Sequence, residues 1–282
     1  MYTKKMFPLR DLILWSRRDV LKFILISSIP VILHSVLGFR FIRLPWLPVA
    51  VLGTALAFIT GFKNNACYDR LWEARKVWGG ITNASRSWAI LVRDLITNQH
   101  AIHSQLSESE LAAIKLKIIQ RHIAWLTAHR YALRVPMPWE VARADKSNLE
   151  FMDRHPIPEW RMPLQEALTP HLEASELEYV MSKQNKAATL LSLQSQQIKD
   201  LAKDGHVWGL YHVQMGNLLT ELYTLQGQNE RIKNFPYPRQ FATLNYIFIW
   251  IFIILLPFGV MGVFEELGLE MLKNFSAVSY TH

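Results

Sequence analysis

Residues 44–75 read LPWLPVAVLGTALAFITGFKNNACYDRLWEAR. An uncharged run ends at Phe62, and a dense polar and aromatic segment follows without a break. The first part is long enough to cross a bilayer as a helix, since about 20 apolar residues suffice. The second part carries Lys63, Asp69, Arg70, Glu73 and Arg75, which cannot remain in hydrocarbon. One helix is therefore expected to leave the membrane and continue into water.

Two further runs are uncharged, residues 23–39 (FILISSIPVILHSVLGF) and 240–264 (QFATLNYIFIWIFIILLPFGVMGVF). The second can span with tilt. Three such runs in 282 residues, half of them hydrophobic, point to a membrane protein rather than one soluble domain. The first run lacks a small-residue cleavage site and carries Pro30 and His34, so it does not read as a signal peptide. The single cysteine, Cys67, rules out an intramolecular disulfide.

Basic residues set the expected topology. Lys4, Lys5, Arg10, Arg17, Arg18 and Lys22 precede the first run, and only Arg40 and Arg43 lie in the loop to the second. The positive-inside bias puts the N-terminus in the cytoplasm. The organisation that follows is a cytoplasmic N-terminal segment (1–22), a transmembrane hairpin (23–62), a cytoplasmic helical region (63–239), a transmembrane helix (240–264) and a short end (265–282). The chain then ends on the far side of the membrane. That odd count, and the last residues VSYTH, read as a truncated or non-native end.

The cytoplasmic region reads as helices. Ser107 and Glu110 have the spacing of a capping box. Leu111, Ile114, Ile118, Ile119, His122, Trp125 and Leu126 recur at helical spacing, and residues 135–138 (VPMP) end that helix. A second break surrounds Pro156, Pro158 and Pro163. Helices are expected at about 176–203 and 209–232, with Pro236 and Pro238 before the last apolar run. No strand alternation, repeat or Gly/Ser linker stands out.

Catalytic chemistry is hard to find. His122 and His129 could share a helix face, and His100 and His103 are three apart. Neither pair has a third ligand at helical spacing, and there is no HExxH motif. They read as packed or solvated histidines, and no metal or other cofactor is expected. Asp69 and Glu73 are flanked by Arg70, Arg75 and Lys76, which reads as an ion-pair network. A membrane enzyme would need an acid, base or metal ligand in the apolar runs, where only His34 titrates near neutral pH, so no enzyme is expected. The basic residues flank membrane runs, so they need no nucleic acid to explain them.

Within the second run Gly53, Ala57 and Gly61 fall four apart, a small-residue stripe that suits close packing of membrane helices. Thr54, Phe58 and Phe62 form the adjacent stripe, which faces either a shared axis or lipid.

Residues 61–79 (GFKNNACYDRLWEARKVWG) resemble the bacterial branch of the bestrophin family of ion channels, whose members show an FRNNxSYDRWWEAR-like stretch after the second membrane helix. Asn64, Asn65, Tyr68, Asp69, Arg70, Trp72, Glu73 and Arg75 carry the match. Arg17-Arg18-Asp19 before the first run and Glu230-Arg231-Ile232 followed by Pro236 and Pro238 agree with it. Leu71 departs from the usual tryptophan pair, residues 100–170 form a longer region than in compact relatives, and the family's fourth membrane helix would be expected to follow the third run, with the acidic calcium clasp of animal relatives beyond it, which fits the reading of a truncated end. The resemblance implies an all-α membrane protein whose transmembrane helices continue into a cytoplasmic helical bundle. It also implies a homopentamer in the cell inner membrane, in contact with lipid, that conducts monovalent ions. Aligned on Asp69-Arg70, it places Thr54, Phe58 and Phe62 at the constricting neck. Counted back from Glu230, it places Leu210 at a cytoplasmic constriction. Family members select anions or cations, so ancestry does not settle the sign; the net charge of +8 per chain would concentrate anions, so chloride and other small anions are the expected cargo, with monovalent cations as the alternative. A non-conducting membrane scaffold or accessory subunit would share the hydropathy.

Overall fold

The computed structural model describes residues 6–102, 104–140 and 145–279, with side chains described as far as Gly268. Lys4, Lys5, His103 and the last three residues of the VSYTH end lie outside the described residues. Nine α-helices are present among the described residues, and no strand. They are α1 (Leu9–Ser35), α2 (Trp46–Leu95), α3 (Glu108–Arg134), α4 (Lys146–Arg154), α5 (Leu164–Leu168), α6 (Ala174–Met181), α7 (Lys186–Lys203), α8 (Gly209–Asn234) and α9 (Arg239–Ser279). The chain divides into two units, one of Met1–Tyr68, Val141–His155 and Pro236–His282, the other of Asp69–Glu140 and Pro156–Phe235.

The first unit has almost no interior of its own. Pro30, Val49, Asn245 and Gly259 are buried, while Ile24, Leu25, Val51, Phe58, Leu244 and Ile247 are exposed. Among the described residues two helical stretches are long and apolar enough to cross a membrane, Arg40–Leu95 and Arg239–Gly268, yet only 6% and 17% of their most apolar windows are buried. The core helix of a soluble protein would be mostly buried, so lipid is the solvent these surfaces suit. The run 23–39 is helical only to Ser35. Gly38 then adopts φ 73°, a left-handed conformation that glycine enters without a Cβ clash, and the chain turns through a 3₁₀ segment at Arg40–Ile42. Helix α9 continues past Phe264 as far as Ser279, through most of the expected short end.

Where α2 meets α9, glycines set the spacing. A Cβ on Gly53 would lie 2.8 Å from the Phe252 ring, and one on Gly259 would lie 2.9 Å from Val49. Small residues let membrane helices approach this closely. The N-terminal half of α1 is held by α4, which falls inside the sequence range 63–239 but belongs to this first unit. Asp11 pairs with Arg154, Glu150 accepts from both Arg17 and Arg18, and Trp15 donates to Asn148.

The second unit has a conventional core. Val77, Ile81, Ala84, Trp88 and Val92 on one face of α2 pack with Ile118 and Trp125 of α3, Leu190 and Ile198 of α7, and Met215 and Leu222 of α8. The expected capping box is present: Ser107 Oγ accepts from the Glu110 N–H, and Glu110 Oε2 accepts from the Ser107 N–H at 2.7 Å. That backbone N–H holds the Glu110 carboxyl below its usual range. Helix α3 ends at Arg134, before the VPMP segment. The helix expected over 176–203 is in fact two, α6 and α7, because Asn185 caps α7 by accepting from the Ala188 N–H at 3.0 Å.

Candidate functional site

Thr54, Phe58 and Phe62 lie on one stripe of α2, and all three are exposed in the single chain, the phenylalanines at 66% and 72%. Thr54 Oγ1 donates to the Ala50 carbonyl at 3.0 Å, which ties the only hydroxyl of the stripe to its own helix. What remains outward is hydrocarbon and two phenyl rings, with no formal charge. Of the small-residue stripe, Gly53 meets the Phe252 ring of α9. Ala57 is exposed, and a Cβ on Gly61 would meet nothing within 4 Å. Leu210, in the first turn of α8 in the second unit, is 62% exposed.

The motif residues separate by role. Asn64, Asn65, Tyr68 and Asp69 are exposed on α2. Arg70 Nη2 donates to the Ile232 carbonyl at 2.7 Å. That carbonyl lies in the last turn of α8, where carbonyls lack helical partners and a cation is favoured by the helix dipole. Glu73 accepts from Arg231 of the same turn at 2.7 Å, and the Arg75 guanidinium lies 5.5 Å from the centre of the Trp72 ring. So Glu73 and Arg70 find their partners on α8, and not in the basic residues flanking them on α2. Two of the three sequence segments that carry the bestrophin resemblance, 61–79 and 230–232, are in contact with one another. Their separation in the chain hides this, and the charge complementarity of Glu73 and Arg231 was the one available signal.

His122 and His129 do share a face of α3, but both face the core. Trp88, His122, Trp125, His129 and Trp78 form a column of neighbouring rings, with centroids 5.1–6.3 Å apart. His122 Nε2 bonds Ser85 Oγ at 2.9 Å, and His129 Nε2 lies 3.2 Å from the Asn229 amide nitrogen. Burial pushes the His122 pKa down to about 4 and lowers that of His129, with Glu230 acting the other way on the latter. Both imidazoles are neutral at pH 7, as this packing requires. Among the described residues, no cluster of three or more His, Cys, Asp or Glu could hold a metal ion.

The voltage-dependent anion channel-forming protein YneE of Salmonella typhi is 24% identical over 246 residues, covering 86% of this chain and 67% of that protein. The voltage-dependent anion channel-forming protein RSc3414 of Ralstonia nicotianae is 26% identical over 246 residues, covering 84% of this chain and 66% of that protein. The chain thus spans about two thirds of the length of these relatives. A bacterial bestrophin homologue from Klebsiella pneumoniae has the same fold, with a TM-score of 0.65 at 22% identity over 86% of this chain and 76% of that one. Residues 12–282 match the family described as bacterial/fungal bestrophin protein, and the chain belongs to that family.

Proposed function

We propose that this chain is the subunit of a pentameric channel that passes small monovalent anions, chloride among them, down their gradient across the bacterial inner membrane. The observation that carries the reading is the exposed, uncharged stripe of Thr54, Phe58 and Phe62 on a helix apolar enough to span a bilayer. Five copies of that stripe around an axis form a neck with nothing to replace an ion's hydration shell. Such a constriction gates by wetting. Phenyl rings carry a positive edge, and rings turned edge-on favour anions. The net charge of +8 per chain enriches anions near the protein. The names of the Salmonella and Ralstonia relatives support the sign. Leu210 forms a second constriction on the cytoplasmic side, the Gly53, Ala57 and Gly61 stripe lets α2 pack closely against its neighbours, and the basic N-terminal segment stays in the cytoplasm.

The test is electrical. Purified protein in liposomes under a potassium chloride gradient has a reversal potential near that of chloride on this reading. A reversal potential near that of potassium makes it a cation channel, and no conductance at all makes it a scaffold. Native mass spectrometry checks the number of chains.

A further inference from the structure

A crevice of about 650 Å³ lies between the C-terminal end of α1 and the middle of α9, entirely within the first unit. Its two ends differ in chemistry. Val31, Pro257, Val260 and Met261 form one end, inside the apolar runs, while His34, Arg40 and Glu265 form the other, where those runs stop.

The charges at the polar end do not cancel. Glu265 is engaged by Arg43, at 2.6 Å, and lies 3.9 Å from His34 Nε2, beyond hydrogen-bond reach. His34 Nε2 is buried and has no hydrogen-bond partner among the described residues, and its side chain is only 13% exposed. Arg40 is exposed and has no ion-pair partner among the described residues. The polar end therefore offers one free cation and one unsatisfied ring nitrogen, and an apolar trough runs from them into the depth of the helices. Buried polar groups without partners are rare and call for a ligand or water. Crevices of this volume, mostly apolar with a few converging polar groups, are the form that ligand sites take.

We infer that this crevice binds one anionic phospholipid of the surrounding bilayer, its phosphodiester on Arg40 and His34 Nε2 and an acyl chain along Val31, Pro257, Val260 and Met261. The guanidinium supplies charge-assisted hydrogen bonds to phosphate oxygens. The excess positive charge selects an anionic headgroup over a zwitterionic one. The inference rests on the membrane placement proposed above but not on conduction, so its test reads lipid and not current.

The experiment measures retained lipid. Protein purified in mild detergent is incubated with phosphatidylglycerol or phosphatidylcholine, and bound lipid per chain is counted by native mass spectrometry. The parent retains phosphatidylglycerol preferentially. Arg40→Gln, a change at an exposed side chain that leaves packing intact, weakens that retention about tenfold, the order expected for one hydrogen bond to a charged group. Met261→Trp, which fills the trough, weakens it without touching the charge, and an unchanged unfolding midpoint without lipid shows that the variant is folded. Equal retention by parent and Arg40→Gln overturns the inference, as does equal retention of the two lipids by the parent. Full displacement of the lipid by inorganic phosphate reduces the site to an anion site without a chain and overturns it too.

Discussion

Arg121 of α3 holds Glu176 of α6 side-on, with Nη2 donating to Oε2 at 2.8 Å and Nε donating to Oε1. The side chains are only 6% and 12% exposed. The remaining nitrogen, Nη1, donates to Gln194 Oε1 at 3.1 Å and to Gln197, both on α7. One guanidinium therefore joins three helices of the second unit. Such a side-on pair fixes geometry as well as charge.

Removing one partner leaves the other charge buried. Arg121→Ala or Glu176→Ala should each cost about 3 kcal/mol. That corresponds to a fall of about 10 °C in unfolding midpoint for a unit of this size. Glu176→Gln, which keeps the shape and one acceptor, should cost visibly less. Thermal unfolding of the three variants in one detergent checks the order, and equal midpoints for all would show that the pair holds nothing together.

The histidine column makes stability depend on pH, with a definite sign. The folded pKa of His122 is about 4, below the ordinary value of 6.5, so the unfolded chain binds the proton first as pH falls. Stability is therefore full above about pH 6.5 and is lost between there and about pH 4. A tenfold difference in proton affinity between the folded and unfolded chain corresponds to about 1.4 kcal/mol, so His122 alone accounts for about 3 kcal/mol over that window. His129 adds to the loss in the same direction. His122→Gln, which can keep a hydrogen bond to Ser85 and does not titrate, should flatten the midpoint-against-pH curve between pH 6.5 and 4. A slope as steep as the parent's would place the acid sensitivity elsewhere.

Much of this molecule was legible in the sequence because the signals were local. Ser107 and Glu110 announced their cap, VPMP ended α3, and two of the three uncharged runs lie in helical stretches long and apolar enough to cross a membrane. What escaped depended on partners far along the chain. A helical stripe says that Gly53, Ala57 and Gly61 share a face, but not that Phe252 covers Gly53 while Ala57 is exposed and Gly61 has open space beside it. Residues 176–203 carry no proline or glycine, so their apolar pattern reads straight through the break that the Asn185 side chain makes. The clip of α4 on the N-terminal half of α1 joins residues more than a hundred apart, and charge spacing within either segment says nothing of it.

Gly205 should tolerate no side chain. Its φ is 82°, and a Cβ there would lie 2.1 Å from the His100 carbonyl oxygen, a backbone atom that cannot rotate away. The neighbouring chain is fixed as well, with Thr97 N–H on the His206 carbonyl at 2.9 Å and Ile102 N–H on the Asp204 carbonyl at 3.0 Å. Gly205→Ala should cost more than the roughly 1 kcal/mol of an ordinary left-handed alanine. The measurement is its unfolding midpoint beside that of Gly209→Ala, where a Cβ meets nothing within 4 Å. A smaller loss at 205 than at 209 would contradict the close approach.

Phe58 and Phe62 stand out from α2 with about two thirds or more of their surface free in the single chain, one helical turn apart and in line with Thr54. In the proposed pentamer, five phenyl rings at one level would leave little room and offer no hydrogen bonds, so the barrier to an ion would be in part a barrier to wetting. Phe58→Ala or Phe62→Ala should widen and wet the neck, raising single-channel conductance and weakening the discrimination between anions and cations. Leu56, on the opposite side of the helix and half-buried, is the control: Leu56→Ala should change permeation far less. Single-channel recording of the three variants beside the parent, under a salt gradient, gives conductance and reversal potential together. If both phenylalanine variants conduct like the parent while Leu56→Ala leaks, the pore is lined by the other face of α2, and Phe58 and Phe62 face lipid or a neighbouring subunit.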